Sequence, residues 1–518
     1  MTRRRAEVDA RLDALEAGDP AFAAQPPGYA DMAVLARRHG FTIVFLVPTD
    51  EAELGTLAFL VGPDERGAPE VLRLAGLTRG RLRDLLFALP EGMTFSEAPN
   101  ALGARWALDD GRAPENVGWL AAYWLTHLAR ARDRALARPN DWEPRARRLW
   151  HATMQRVLKT LGDALMGPLA ERLAALGARR VVLIPGDRLG LLPLHAAPSS
   201  PPAPFPGGEG PGVRAFLDAF EVSYAPSAAA LAAALARAGG ERSAPALVAI
   251  ANPDGSLAFA DDEVAAIAAG FDGRAQVAYG PAATRAWLLA RAGQADYLEL
   301  STHGSFAPGE PEQSGLLLAH PAGHTWPLWR ADISPERQEL EALQAGCERL
   351  TLDDIWAGRL PLKPGCVVSL DACETAQTES GEEADESLGF PAALLSAGAA
   401  TVIASLWAVD DFSTSLLMTE AYRRMLAGER PSLALQQAGQ WLRRLSKAEV
   451  LARLDAAIAA MEAEERAGEW ERLPLAEYAQ RRYRLAALAN RRASLNDAPE
   501  DPPFAHPVWW AAFAAYGA

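Results

Sequence analysis

Two stretches, YLELSTHG (297–304) and CVVSLDAC (366–373), decide the fold. Each is a short apolar run of the kind that lies buried in a parallel sheet, and each ends in polar, reactive residues. Outward from them, strands and helices alternate. FEVSYAP (220–226) leads into a helical pattern from Ser227, LVAIANP (247–253) into one from Asp261, and QVAYG (276–280) into one from Thr284. Past Cys373 a helix is expected over 387–400, and TVIASLWAVDD (401–411) is the next strand. This order predicts an α/β fold, a mostly parallel sheet with helices on both faces.

Residues 1–40 read as an N-terminal helical segment. FTIVFLV (41–47) and TLAFLVG (56–62) form a β-hairpin, with EVLRLAG (70–76) as a candidate third strand. From Thr78 to Gly177 the spacing is helical, so 41–177 is a hairpin and helical region leading into the main fold. VVLIPG (181–186) is a further buried strand, and PSSPPAPFPGGEGPG (198–212) is a loop without core-forming content. Residues 412–494 are helical, and 447–494 is expected to stand off the sheet as a helical pair. No repeat of about 34 residues is present, so a solenoid is not expected.

At 518 residues the chain is long enough for two or three packed units. Its 49% apolar and 23% charged content is that of a folded globular protein. The net charge of -15, from 51 basic and 66 acidic side chains, disfavours direct binding of nucleic acid or anionic membrane. Arg3, Arg4 and Arg5 read as a solvated helix start. Three cysteines, Cys347, Cys366 and Cys373, are too few for a disulfide framework or a zinc site, which favours a reducing, cytoplasmic location. No apolar signal region and no run of about 20 apolar residues is seen. The histidines lack metal-ligand spacing, so neither metal nor cofactor is expected.

Reactive groups in open parallel sheets gather beyond the carboxyl ends of the strands. His303 stands at one such end and Cys373 at another. A thiol attacks as the thiolate, and an imidazole within hydrogen-bond reach activates it or protonates the leaving amine. Gly304 leaves room for a close backbone approach, and its N–H with that of Cys373 is the candidate oxyanion hole. Residue type and position alone leave the bland alternative open, a buried small hydrophobe and a structural histidine.

Longer blocks go further. STHGSF, SGLLLA (314–319), SLDACETA (369–376) and DESLGFPAALLSAGAATVIASLWAVDD (385–411) resemble the CHAT domain family, bacterial relatives of caspases and separases. VVLIPGDRLGLLPLHAAP (181–198), FADDEVAAIA (259–268), PSLALQQAGQWLRRL (431–445) and FAHPVWWAAFAAYG (504–517) fit the same family's blocks. The resemblance implies a cysteine endopeptidase built from two caspase-like halves. The first, 178–295, would be a pseudo-caspase half, and 296–518 the catalytic half carrying a helical insertion at 447–494. His303 would orient or polarise and Cys373 attack the scissile carbonyl, while the family leaves His195 structural. No third triad residue is assignable from the sequence.

Asp371 lies two residues before Cys373, on the same face of its strand, where family members commonly have Ser. Resemblance to metacaspases there, and to separases at Asp410 and Asp411, implies carboxylates that bind a basic substrate side chain. The alternative for Asp410 and Asp411 is a cap on the helix from Phe412. The acidic loop 379–386 reads as mobile surface that orders before the site works. The implied partners are a protein substrate and a separate activating or sensor protein, in a bacterial stress or antiphage pathway. The rival readings are a non-catalytic scaffold and another thiol acyl-transfer enzyme.

Overall fold

The computed structural model describes residues 27–63, 68–89, 117–126, 143–199, 214–238, 244–307, 310–320, 347–377 and 389–518. The expectations for residues 1–26, most of the loop at 198–212 and the acidic loop at 379–386 lie outside the described residues. Two compact units emerge, one formed within residues 29–222 and one from about residue 223 onward.

In the first unit, helix α1 (Tyr29–His39) precedes strand β1 (Thr42–Pro48). β2 (Thr56–Val61) folds back antiparallel on β1, and β3 (Glu70–Leu74) continues the meander, as the alternating apolar runs predict. Helices α2 (Arg79–Phe87), α3 (Glu143–Leu161) and α4 (Gly167–Ala175) follow, the last two joined by a π-helical turn at Gly162–Met166. Strand β4 (Arg180–Pro185) then pairs parallel with β1. The strand order is β3-β2-β1-β4.

The second unit carries β5 (Glu221–Tyr224), helix α5 (Ala228–Arg237), β6 (Leu247–Ala251), α6 (Ala260–Ala269), β7 (Ala275–Tyr279), α7 (Arg285–Leu289) and β8 (Tyr297–Ser301). A small three-stranded sheet of β9 (Gly304–Ser305), β10 (Gly315–Leu318) and β11 (Glu348–Thr351) follows. Then come α8 (Leu352–Trp356), β12 (Val367–Asp371), α9 (Phe390–Ala397), β13 (Thr401–Ser405) and α10 (Asp411–Leu426). Helices α11 (Pro431–Leu442), α12 (Lys447–Arg466) and α13 (Leu475–Asp497) lead to the last strand, β14 (Phe513–Gly517).

The large sheet of this unit runs β5-β14-β13-β12-β8-β6-β7. β13, β12, β8, β6 and β7 are mutually parallel, and β14 enters antiparallel to β13 and parallel to β5. The alternation of strands and helices foretold the parallel set. It did not foretell β14, because FAAYG at a chain end is short, alanine-rich and preceded by no helix of a βαβ unit. Strands β6, β8, β12, β13 and β14 are buried along their whole length. Helices α6 and α10 pack side by side, and α9 packs with α5 and α8. The chain moves outward from β6 to β7, then returns to place β8 on the other side of β6 and proceeds to β12 and β13. The reversal lies between β6 and β8. Loops leaving adjacent strands there part to opposite sides and open a crevice at the carboxyl ends.

Candidate active site

The pairing of β8 with β12 is parallel and in register, with Glu299 opposite Ser369 and Ser301 opposite Asp371. The ladder continues one step further, where the N–H of Thr302 donates to the Asp371 carbonyl at 3.2 Å. The two chains therefore emerge at the same level, two residues before His303 and two before Cys373. Gly304 confirms the closeness. A Cβ built on it would lie 2.7 Å from the Cys373 carbonyl oxygen and 3.1 Å from the Ala372 Cβ. Only a glycine lets those backbones approach so closely.

The turn that presents Cys373 is fixed from behind. Glu374 adopts φ 61°, a left-handed conformation costly for a residue with a side chain. Thr375 holds it in place, its Oγ1 accepting from the Ser405 N–H at 3.0 Å, while the Ser405 Oγ donates to the Ala372 carbonyl at 2.6 Å. The end of β13 thus anchors the segment that follows β12. Cys373 itself stays partly exposed.

His303 is buried, and the loop leaving β6 supplies its partners. Its Nε2 lies 2.5 Å from Ser256 Oγ, and the same hydroxyl donates to Asp254 Oδ1 at 2.9 Å. The direct distance from Nε2 to Asp254 Oδ2 is 3.7 Å, too long for a hydrogen bond. With the Ser256 proton directed to Asp254, Nε2–H is the donor to Ser256. That leaves Nδ1 as the basic nitrogen of the neutral ring. The loop is tied by Asn252, whose side chain clasps Leu257 by two hydrogen bonds of 2.8 and 2.9 Å. Sequence reasoning missed Asp254 and Ser256. NPDGS after LVAIA reads as an ordinary turn, and only the strand order sets β6 beside β8.

The comparisons with known proteins bear on this arrangement. The family model described as CHAT domain matches residues 155–518. The chain belongs to the CHAT domain family. Two solved structures are similar over much of it. The Saccharomyces cerevisiae separase–securin complex aligns at 12% identity and a TM-score of 0.40, covering 80% of this chain and 30% of that one. The Arg-specific cysteine proteinase gingipain R aligns at 12% identity and a TM-score of 0.31, covering 52% of this chain and 58% of that one. No curated protein matches the sequence.

Beneath the His303–Cys373 level, this CHAT chain carries an acidic cluster. Positions 299 and 301 of β8 and 369 and 371 of β12 alternate onto one face. Glu299 and Asp371 meet Glu263 of α6 there, with oxygens of all three within 4.8 Å of one another. The three side chains are 0%, 5% and 3% exposed, respectively. Burial is the main force raising each carboxyl well above its usual range. Mutual repulsion adds to it, from Asp371 and Asp411 on Glu263, from Glu263 on Glu299, and from Glu299 on Asp371. Tyr422 of α10 closes the inner end, donating to Ser369 Oγ at 3.1 Å. Asp371 is the last residue of β12, two residues before Cys373 in the turn that follows. Among the described residues, these three are the only grouping with the geometry to hold a metal ion.

The two other predicted substrate carboxylates are placed differently. Asp410 is the N-cap of α10, accepting from the Ser413 N–H at 2.9 Å, and it pairs with Arg491 at 2.5 Å. These contacts are those of the capping alternative, and they occupy the Asp410 carboxylate. Asp411 Oδ2 accepts from the Phe259 N–H at 3.0 Å. Burial pushes its pKa up to about 7, against the Phe259 bond, and the Asp410 charge raises it further while His303 lowers it. Asp411 therefore faces the loop before α6 and the imidazole. Cys347, the other partly exposed thiol, is pushed up by burial and by the Asp254 charge, which keeps it protonated and a poor nucleophile.

Among the described residues no helix is long and apolar enough to cross a membrane. The expected helical pair 447–494 exists as α12 and α13, but α13 does not stand free. Its Tyr483, Gln480, Arg484 and Arg491 bond to Ser256, Asp261, Asp262 and Asp410.

Proposed function

We propose that this CHAT protein is a cysteine endopeptidase that cuts a protein substrate after a basic residue. The observation that carries the reading is the common level at which β8 and β12 deliver His303 and Cys373, with His303 oriented through Ser256 and Asp254. In this mechanism Nδ1 of His303 receives the thiol proton and the Cys373 thiolate adds to the scissile carbonyl. The N–H groups of Gly304 and Cys373 stabilise the oxyanion. The tetrahedral intermediate collapses as the imidazolium protonates the leaving amine. Water then adds to the thioester with His303 as base and releases the new carboxylate.

The buried cluster of Asp371, Glu299 and Glu263 supports the basic preference. Two of its members stand on the strands that lead to His303 and Cys373, and its oxygens offer charge-assisted hydrogen bonds to an arginine or lysine side chain. A cation entering it displaces protons that burial otherwise retains. The setting we propose is a bacterial stress or antiphage pathway with a separate activating protein. The decisive test is a peptide library cleaved by the purified chain and by Cys373→Ala, with the residue before each cut read by mass spectrometry. Cuts after Arg or Lys that vanish in the mutant support the whole reading. Cuts after other residues retain the dyad and overturn the acidic pocket, and an unchanged pattern in Cys373→Ala overturns the nucleophile. A chelator that abolishes cleavage would assign the cluster to a divalent cation instead.

A further inference from the structure

Helix α13 lies some 180 residues downstream of His303 and belongs to a helical pair that neither proposed catalytic residue occupies. It nonetheless grips the loop that orients the imidazole. The Tyr483 hydroxyl donates to the Ser256 carbonyl at 3.1 Å, and the Ser256 Oγ lies 2.5 Å from His303 Nε2. A second link runs beside it. Gln480 Nε2 donates to Asp261 Oδ2 at 2.9 Å, and Asn252, the residue that clasps the loop shut, favours the charged form of the Asp261 carboxyl. Arg484 pairs with Asp262 one position on. Three residues within little more than one turn of α13 thus hold the segment from Asn252 to Asp262, and that segment carries both Asp254 and Ser256.

We infer that Tyr483 is a positioning residue for the peptidase, setting the orientation and tautomer of His303 through Ser256, and that the α12–α13 pair is the element through which this setting is held. The physical reason is economy of constraint. The loop's own bonds, including the left-handed Asn252 at φ 51°, fix its shape. They do not fix where Ser256 Oγ sits relative to β8. The Asn252 N–H to Ser301 carbonyl bond holds the loop at one end, at 2.9 Å. Four residues later Tyr483 holds it at the other. Without the tyrosine hydroxyl the Ser256–Leu257 peptide is held only by bonds within its own loop, from the Leu257 N–H to Asn252 and the Ser256 N–H to Asp254, so Ser256 Oγ can shift with the loop relative to β8 and the imidazole loses a fixed acceptor for Nε2–H. The charged groups facing His303 are Asp254 from the loop and Asp411 from α10, and neither is altered by that change.

This inference rests on the peptidase reading for its effect on rate, but its primary test does not. The full chain is labelled with 13C,15N-histidine, and the His303 signals are assigned by their disappearance in His303→Gln. In Tyr483→Phe, the ring-nitrogen shifts of His303, which report its tautomer and hydrogen bonding, are expected to move. In Tyr478→Phe, on the same helix but 37% exposed, they are expected to stay. If the wild type cleaves peptide, Tyr483→Phe should lower kcat about three- to tenfold with KM unchanged, the size expected for one hydrogen bond. His303 signals in Tyr483→Phe that coincide with wild type overturn the inference, even where that variant melts earlier. Moved ring-nitrogen shifts uphold the positioning role whether or not the chain alone cleaves peptide, so a failure of the peptidase reading is told apart from a failure of this inference.

Discussion

Two pairs of parallel strands in this protein look alike in sequence and differ in what they present. β1 with β4 reads TIVFLVP and RVVLIP; β8 with β12 reads YLELS and VVSLD. Both pairs are registered residue against residue. In the first, the inner positions are apolar on both faces, and the strands run out into proline and Gly186. In the second, Glu299, Ser369 and Asp371 place oxygens on one face, and the next alternate positions are His303 and Cys373. A buried carboxylate without a charged partner is destabilising, so its presence in a central strand marks a place selected for something other than packing. His195 makes the same point. It follows β4 in a short 3-10 turn, buried between Leu194 and Ala196, and no parallel neighbour delivers a nucleophile beside it in the described residues of its unit.

The contrast can be broken at several points. The largest effect is expected at Gly304→Ala, whose Cβ would meet the Cys373 carbonyl at 2.7 Å. The strand ends must then part, and a displacement approaching 1 Å lowers kcat/KM on the order of a hundredfold. Steady-state cleavage, with the melting temperature as control, decides it. A glycine substitution to alanine without loss would mean that the two ends are not the site.

Glu299→Gln comes next. Selectivity for Arg and Lys over neutral residues should fall about ten- to a hundredfold, in the range of a hydrogen bond to a charged group. The same variant sharpens the comparison through stability. The Glu299 carboxyl is raised in the folded state, so the fold binds its proton more tightly than the unfolded chain does. That contribution is full below the ordinary glutamate pKa and is lost as pH rises toward the folded value. Glu299→Gln should therefore gain melting temperature at pH 8 and little at pH 4. The gain is about 1 °C for each kcal/mol recovered, from an unfolding entropy of about 2.1 cal/mol/K per residue over a chain of this length. An equivalent gain at both pH values would remove the buried acid from the account.

Substrate binding should show the same linkage. Because the cluster retains protons and a cation displaces them, KM for a basic peptide should fall as pH rises above the ordinary carboxylate range. The fall is up to about tenfold per pH unit for each proton released. KM for a neutral peptide should stay flat. Asp411 is expected to act more weakly, as an ionisation near 7 in the pH profile of kcat/KM that Asp411→Asn lacks. The smallest effect belongs to Asp410→Ala. It should cost about 1 kcal/mol as a lost cap and leave the preference before the scissile bond untouched. A change of preference there would restore Asp410 to the pocket.

Much of this was legible before the fold was known. Apolar runs of strand length, alternating with helical spacing, determined the parallel sheet, because burial on both faces imposes that composition. His303, Gly304 and Cys373 were readable as candidates because reactive residues stand out against apolar strands, and the β8–β12 register brings their segments to one level. Asp371 was readable through its two-residue spacing from Cys373. Glu299 carried an equally plain signal, a lone acid inside a buried strand, and passed unread because acids are so common elsewhere in the chain. What only the tertiary structure decided is which distant residues complete the site. Asp254 and Ser256 reach His303 because the strand order reverses between β6 and β8. Glu263 reaches Asp371 because α6 covers that face, and Tyr483 reaches Ser256 because α13 folds back across the loop. Local pattern encodes what each segment is; strand order and helix packing, summed over the whole chain, decide which segments become neighbours.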